Sequence, residues 1–198
     1  MNGIVNWTGA GVAALATCFL CGAAAAQDAS RSTIFSSVRL GVLAHDIGGI
    51  EPGPELNAEL QFRTPFPHLG DSLPWWISWF TRPRPVIGTD INTAGATSQV
   101  YVGAAWTVFR TGPIFSDHDS FFFDAGFAPA LNNGYTNVSS TRHKSLGTNL
   151  LFRSDAEVGY FITQNISVAA IVEHSSNAGL AQKNPGFTDV GLRIGFGF

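Results

Sequence analysis

Thr188-Asp189-Val190-Gly191-Leu192-Arg193-Ile194-Gly195-Phe196-Gly197-Phe198, at the C-terminus, alternates without interruption. Its even positions, Val190, Leu192, Ile194, Phe196 and Phe198, are apolar. Its odd positions, Asp189, Gly191, Arg193, Gly195 and Gly197, are polar or minimal. A period of two marks a strand with two unlike faces. The apolar face suits hydrocarbon, and the other suits a narrow polar lumen. Together they describe a wall segment of a membrane barrel, where lipid-facing and lumen-facing residues alternate.

Working outward, the same alternation recurs at Thr33–His45, Glu55–Arg63, Pro85–Thr93, Gln99–Phe109, Ser120–Ala130, Leu146–Phe161 and Ile166–Ser176, bounded by Gly, Pro, Asn or Asp. With the terminal strand these predict an all-β fold, an eight-stranded antiparallel transmembrane β-barrel over residues 27–198. Eight is about the smallest count for a closed membrane barrel. Composition agrees: Gly 22 and Phe 16 stand against only 13% charged residues. No stretch after Ala26 approaches the ~20 apolar residues of a membrane helix. Closing a sheet on itself is the other way to satisfy every backbone hydrogen bond in lipid.

Residues 1–26 contain no Asp, Glu, Lys or Arg, and Gly9–Ala26 is a small, apolar run ending in three alanines before Gln27. That reads as a signal peptide cleaved after Ala26, with a membrane anchor or a lipidated Cys18 as rival readings. Cys18 and Cys21 both fall inside it, so the mature chain is expected to have no disulfide. The net charge of -3, with no basic stripe, offers nothing to nucleic acid. Aromatics near strand ends (Trp106, Phe109, Phe121, Phe123, Tyr160 and Phe161) suit an interfacial girdle. Thr64–Arg84 is too rich in Pro and Trp for a tight turn. Either Asp71–Phe80 forms a short amphipathic helix that anchors Trp75, Trp76 and Trp79 beside Arg82 and Arg84 at the membrane interface, or the segment folds over the barrel mouth.

With both termini in the periplasm, the seventh strand ends at the cell exterior. Its even residues, Ile166, Val168, Ala170 and Val172, are apolar and should face lipid, and His174 and Ser176 continue that face. Their Cα atoms lie about 6.5–7 Å apart at a rise of ~3.3 Å per residue, so their side chains can share the hydrogen bond that a nucleophile and its base require. The rival reading is that both sit beyond the hydrocarbon edge, where polar groups cost nothing. Ser175 has the opposite parity and points to the lumen.

The block His174-Ser175-Ser176-Asn177-Ala178-Gly179-Leu180, followed by Asn184-Pro185-Gly186 and a terminal strand ending in Phe, resembles the lipid A 3-O-deacylase family of outer-membrane barrels. Leu40–Asp46 and Gly88–Gly95 extend the resemblance more loosely. The resemblance implies an outer-membrane ester hydrolase acting on lipid A of lipopolysaccharide in the outer leaflet, as a monomer or a homodimer, with water as second substrate and no cofactor. It implies that His174 is the base and Ser176 the nucleophile. The family places Glu or Asp where this chain has Thr188. Thr188 shares the face of His174; Asp189 follows and should point inward unless a bulge re-aims it. The orienter of His174 is therefore Thr188 or Asp189, or the site is degenerate. Asn177, Asn184 and the Gly179 N–H are candidate oxyanion donors, although the same residues also read as turn chemistry. A non-enzymatic structural or ligand-binding barrel is the alternative.

The remaining polar residues have lesser claims. His45 and Asp46 show no ligand spacing that would define a metal site. His68 lies in a loop, and Asp117-His118-Asp119 reads as a solvated periplasmic turn or a cation-attracting one. Arg142, His143 and Lys144 belong to an outer loop that either meets lipid A phosphates or is simply solvated. Arg39, Asp124, Glu157, Glu173, Asp189 and Arg193 are expected to form a charge network across the lumen.

Overall fold

The computed structural model describes residues 34–198; the expected signal peptide, with its two cysteines, lies outside the described residues. The strands are β1 (Phe35–His45), β2 (Gly53–Phe62), β3 (Arg84–Asn92), β4 (Gln99–Arg110), β5 (Ser120–Asn132), β6 (Leu150–Phe161), β7 (Ile166–Ser176) and β8 (Phe187–Gly197). Each pairs antiparallel with its neighbour, and β1 pairs with β8 to close an eight-membered barrel. The chain starts β1 and ends β8 at the same rim, where the Phe198 N–H donates to the Ser36 carbonyl. We call this the terminal rim; the opposite rim carries the β1–β2, β3–β4, β5–β6 and β7–β8 loops.

The barrel is inside-out relative to a water-soluble domain. Val42, Leu56, Ile87, Val102, Phe127, Val158, Leu192 and Ile194 are exposed around its wall. Among the described residues no helix is long and apolar enough to cross a membrane. The wall of alternating strands is what faces lipid.

The lumen is packed with charge. Near the terminal rim Arg39 donates to Asp124 (2.6 Å) and Glu157 (2.9 Å), Arg193 donates to Glu157 (3.0 Å), and Arg84 donates to Asp124 (2.8 Å). Higher up, Arg153 pairs with Glu173 and Asp155, lies 3.4 Å from Asp90, and stacks over the Tyr101 ring. All six residues expected to line the lumen are buried there. Arg153, Glu59 and Asp90 join them, obeying the same parity. Removing one partner of a buried ion pair strands the other in low dielectric, at a cost of about 3–5 kcal/mol. Glu157→Leu, which would take one acceptor from both Arg39 and Arg193 while leaving Asp124 and Glu59 beside them, is therefore expected to lower unfolding stability by at most about that amount. Glu157→Gln should cost less, because an amide oxygen still accepts. Urea titration of the folded protein in detergent checks both.

Three expectations change. The sixth strand begins at Leu150, not Leu146, because Gly147 takes a left-handed φ of 78° and turns Leu146 into a buried loop residue bonded to Tyr135. A register shift between Thr107 and Phe109 on β4 reverses parity, so Trp106 and Phe109 both face outward. Phe161, by contrast, packs inward on Phe122 at 5.0 Å beneath Arg110 and leaves the girdle. In the 64–84 segment only α1 (Trp75–Ser78) and a 3-10 turn (Trp79–Thr81) are helical. This segment docks on the outside of the wall: Phe80 stacks on Trp106 at 5.5 Å, and the Trp106 indole donates to the Phe80 carbonyl. It does not cover the mouth. Trp75 and Trp76 are exposed beside it, while Arg82 pairs with Asp71 and Arg84 turns into the lumen.

Candidate active site

Strand β7 alternates exposed and buried residues along its whole length. His174 is exposed on the lipid-facing wall, and Ser176, two residues on, is half-buried on the same face. Ser175 points into the lumen, where its hydroxyl donates to Gln99 Oε1 at 3.0 Å. It is buried away from the His174 ring.

The β7–β8 ladder runs without a register shift from Ile166↔Phe196 to Ser175↔Phe187, pairing His174 with Thr188 and Glu173 with Asp189. His174 Nδ1 lies 2.9 Å from Thr188 Oγ1 in a hydrogen bond. No bulge swings Asp189 outward. Its carboxylate is buried in the lumen, accepting the Asp46 N–H at 2.7 Å and lying 3.0 Å from His45 Nδ1. Of the two candidate orienters, Thr188 touches the imidazole.

Gly186 seats the far edge of that ring. Its φ is 54°, and a Cβ there would stand 3.0 Å from His174 Cε1 and 3.2 Å from Nε2. Both the left-handed backbone and the close approach favour glycine.

The β7–β8 connection opens with a tight turn in which Ala178 and Gly179 have φ of 54° and 80° and the Leu180 N–H donates to the Asn177 carbonyl at 3.0 Å. Positive φ at both central residues is the type I′ pattern. Asn177 is wholly buried and holds this loop. Its Oδ1 accepts the Gly179 N–H (2.9 Å), and its Nδ2 donates to the Leu146 (2.9 Å) and Lys183 (2.6 Å) carbonyls. The donors of Asn177 and Gly179 are thus committed within the loop, against the expectation that they face an oxyanion. Asn184 is exposed and spends its Oδ1 on the Asn177 N–H (2.9 Å), which leaves its Nδ2 as a donor.

Neighbouring residues that sequence reasoning missed complete the surroundings. Register places Ser154 beside His174 and Phe152 beside Ser176 on β6. Phe152 stacks on Phe127 of β5 at 6.0 Å, forming an apolar shelf along the outer wall. On the other side a cleft of about 170 Å³ is lined by Asp46, Lys144, His174, Gly186 and Thr188, among others. Lys144 Nζ is tied to Asp46 and donates to the Gly186 carbonyl at 2.6 Å, so it braces the loop under the imidazole. Arg142 remains exposed, whereas His143 packs on Tyr135 at 5.0 Å. In the β1–β2 loop, burial alone would raise the Glu51 carboxyl, yet the nearby His45 ring and hydrogen bonds from the Lys144 backbone and Thr97 hold it down to about 2. His68 is an exposed partner of Asp71 at 3.3 Å. Asp119 accepts the Ile114 and Phe115 N–H groups at 2.7 and 2.9 Å, which makes it a turn-holding residue beside exposed Asp117 and His118.

An inside-out barrel that presents a histidine, a serine and a threonine on its hydrocarbon side is a membrane barrel whose candidate site opens to lipid rather than to its lumen. The profile of the lipid A 3-O-deacylase (PagL) family matches residues 68–197, and the chain belongs to that family. It is an outer-membrane β-barrel. Its fold is similar to the crystal structure of the outer membrane enzyme PagL, with a TM-score of 0.60 at 20% identity over 81% of this chain and 99% of that one. The N-terminal β-barrel domain of Pseudomonas aeruginosa OprF is similar at a TM-score of 0.44 and 13% identity, covering 82% of this chain and 98% of that one. Neisserial surface protein A is similar at 0.45 and 11% identity, covering 83% of this chain and 96% of that one. No curated protein matches the sequence.

Proposed function

We propose that the protein hydrolyses the ester-linked acyl chain at the 3-position of lipid A, using Ser176 as nucleophile and His174 as general base oriented by Thr188. The observation that carries this reading is the His174–Thr188 hydrogen bond on the lipid-facing wall, with Ser176 beside it on the same face. With the terminal rim in the periplasm, the site lies at outer-leaflet depth, where lipopolysaccharide resides.

The chemistry follows from the residues. The Nδ1–H donates to Thr188 Oγ1, which leaves the Nε2 lone pair to take the Ser176 proton. Ser176 Oγ attacks the ester carbonyl, and the Asn184 amide donates to the resulting oxyanion. Collapse expels the sugar 3-oxygen, which takes its proton from His174. Water, deprotonated by His174, then releases the fatty acid from the serine ester. The acyl chain lies along the Phe152–Phe127 shelf. Exposed Arg142 at the same rim meets a lipid A phosphate.

Membranes carrying the protein, incubated with lipopolysaccharide, are expected to release one ester-linked acyl chain, seen by mass spectrometry of lipid A. An unchanged lipid A spectrum would overturn the reading. It would favour a barrel in which threonine at 188 marks a lapsed site.

A further inference from the structure

Behind the wall that carries Thr188, the lumen gathers residues from three strands. His45 ends β1, Glu55 lies on β2 and Asp189 lies on β8, and each has one ligating atom within 4.8 Å of the other two. Glu55 Oε2 and Asp189 Oδ1 stand 2.9 and 3.0 Å from His45 Nδ1. Neither contact has hydrogen-bond geometry. Both ring nitrogens of His45, both oxygens of Glu55 and Oδ2 of Asp189 are buried without a hydrogen-bond partner. Buried polar groups are almost always partnered, and leaving one unpaired costs about 1–3 kcal/mol. Three such side chains, each about 1% exposed, converge on one point.

Charge points the same way. At the terminal rim Arg39, Arg84 and Arg193 face Asp124, Glu157 and Glu59, and the cations match the anions. Higher in the lumen Arg153 serves Asp90, Asp155 and Glu173. At the opposite rim Lys144 pairs with Asp46 and Glu51 also faces the half-buried His143 at 3.7 Å, which leaves Glu55 and Asp189 with His45 alone. Glu51 is occupied, accepting from Thr97 (Oγ1 at 2.8 Å) and from the Lys144 backbone, and it faces His45 Nε2 at 3.9 Å. A carboxylate behind the second ring nitrogen is the usual support of a metal-binding histidine.

We propose that His45, Glu55 and Asp189 form a buried site for a divalent transition-metal cation of the zinc type. The proposal is independent of the hydrolase reading. An imidazole nitrogen with two carboxylates suits Zn²⁺ or its first-row neighbours better than Ca²⁺ or Mg²⁺, which prefer oxygen donors alone. Ligands at about 2.0–2.2 Å around a tetrahedral ion sit ~3.4 Å apart, close to the spacing from Nδ1 to the two oxygens. A cation here pins the β1–β2 and β1–β8 seams together. Asp189 follows Thr188 directly, and Phe187 packs on the His45 ring at 4.8 Å, so the ion also stiffens the strand end that holds Thr188 against His174.

The test uses the mature protein folded in detergent, stripped with chelator, incubated with Zn²⁺ and desalted. Elemental analysis is expected to find about one zinc per chain. Glu55→Gln and Asp189→Asn should each lower retention at least tenfold, whereas His68→Ala and His118→Ala, on exposed histidines, should not. Wild type that holds no more zinc than a metal-free blank overturns the proposal, and so does retention unchanged in Glu55→Gln. If the variants fail to fold, Co²⁺ decides on wild type alone. A visible d–d spectrum titrating to one equivalent supports the site; its absence means that an imidazolium held by carboxylates fills the place.

Discussion

Alanine at Ser176 is expected to cost between about 10² and about 10⁶ in turnover, and where the loss falls measures what Thr188 contributes. In a serine hydrolase with a full triad, removing the nucleophile costs about 10⁶, while losing only the orienting carboxylate costs about 10⁴. A chain with no carboxylate on its histidine and no replacement for it would stand only about 10² above the floor. Here His174 Nδ1 does have a partner, Thr188 Oγ1 at 2.9 Å. A neutral hydroxyl can fix the ring and its tautomer. It stabilises the developing imidazolium less than a carboxylate would. A loss near 10² would mean that Thr188 does little beyond filling space, and a loss near 10⁶ that orientation matters more than charge. The readout is the initial rate of acyl release from lipopolysaccharide in mixed micelles. Ser175→Ala is the control: it removes only the bond to Gln99 inside the lumen, so stability falls by about 1 kcal/mol while the rate holds. Wild-type turnover by Ser176→Ala would overturn the nucleophile.

How much of this was legible depended on whether period-two alternation ran unbroken. β7 and β8 pair without a shift, so counting residues placed His174, Ser176 and Thr188 on one face and Ser175 and Asp189 on the other, as the structure does. On β4 such a count would not carry across the strand, because an extra residue between Thr107 and Phe109 leaves no mark in the alternation itself. It also could not say that Arg84, written beside a tryptophan cluster, turns to Asp124, because that pairing joins β3 to β5 across the lumen. The His45 cluster was illegible for a related reason. Its members come together only because β8 closes onto β1, bringing residue 189 against residue 45. Spacing along a chain does not encode a closure. Asn177 shows a different limit: its residue type suits both an oxyanion donor and a turn. Only its partners, the Gly179 N–H and the Leu146 and Lys183 carbonyls, decide between them.

Restoring a carboxylate at position 188 should therefore raise activity, by between about 10-fold and about 10⁴-fold. Thr188→Glu adds reach as well as charge, and the geometry can take it. Thr188 is half-buried at the edge of the cleft of about 170 Å³, so a longer side chain has somewhere to bend. The nearest cation, Lys144, is already paired with Asp46 and bonded to the Gly186 carbonyl. It would not pull the new carboxylate away without giving up both contacts. Thr188→Val tests the opposite case. It keeps the volume and removes the hydroxyl, so the ring loses its tautomer lock and the rate should fall toward that of Ser176→Ala. Asp189→Asn separates position from proximity: it alters the lumen around His45 but not the outer face, so at matched folded protein the rate should fall far less than in Thr188→Val. Measured together, the order Thr188→Glu above wild type above Thr188→Val is what an orienting role requires. If Glu and Val at 188 both match wild type, residue 188 does not act on His174. If Asp189→Asn alone abolishes turnover in folded protein, the acid works from inside the lumen and Thr188 is a bystander.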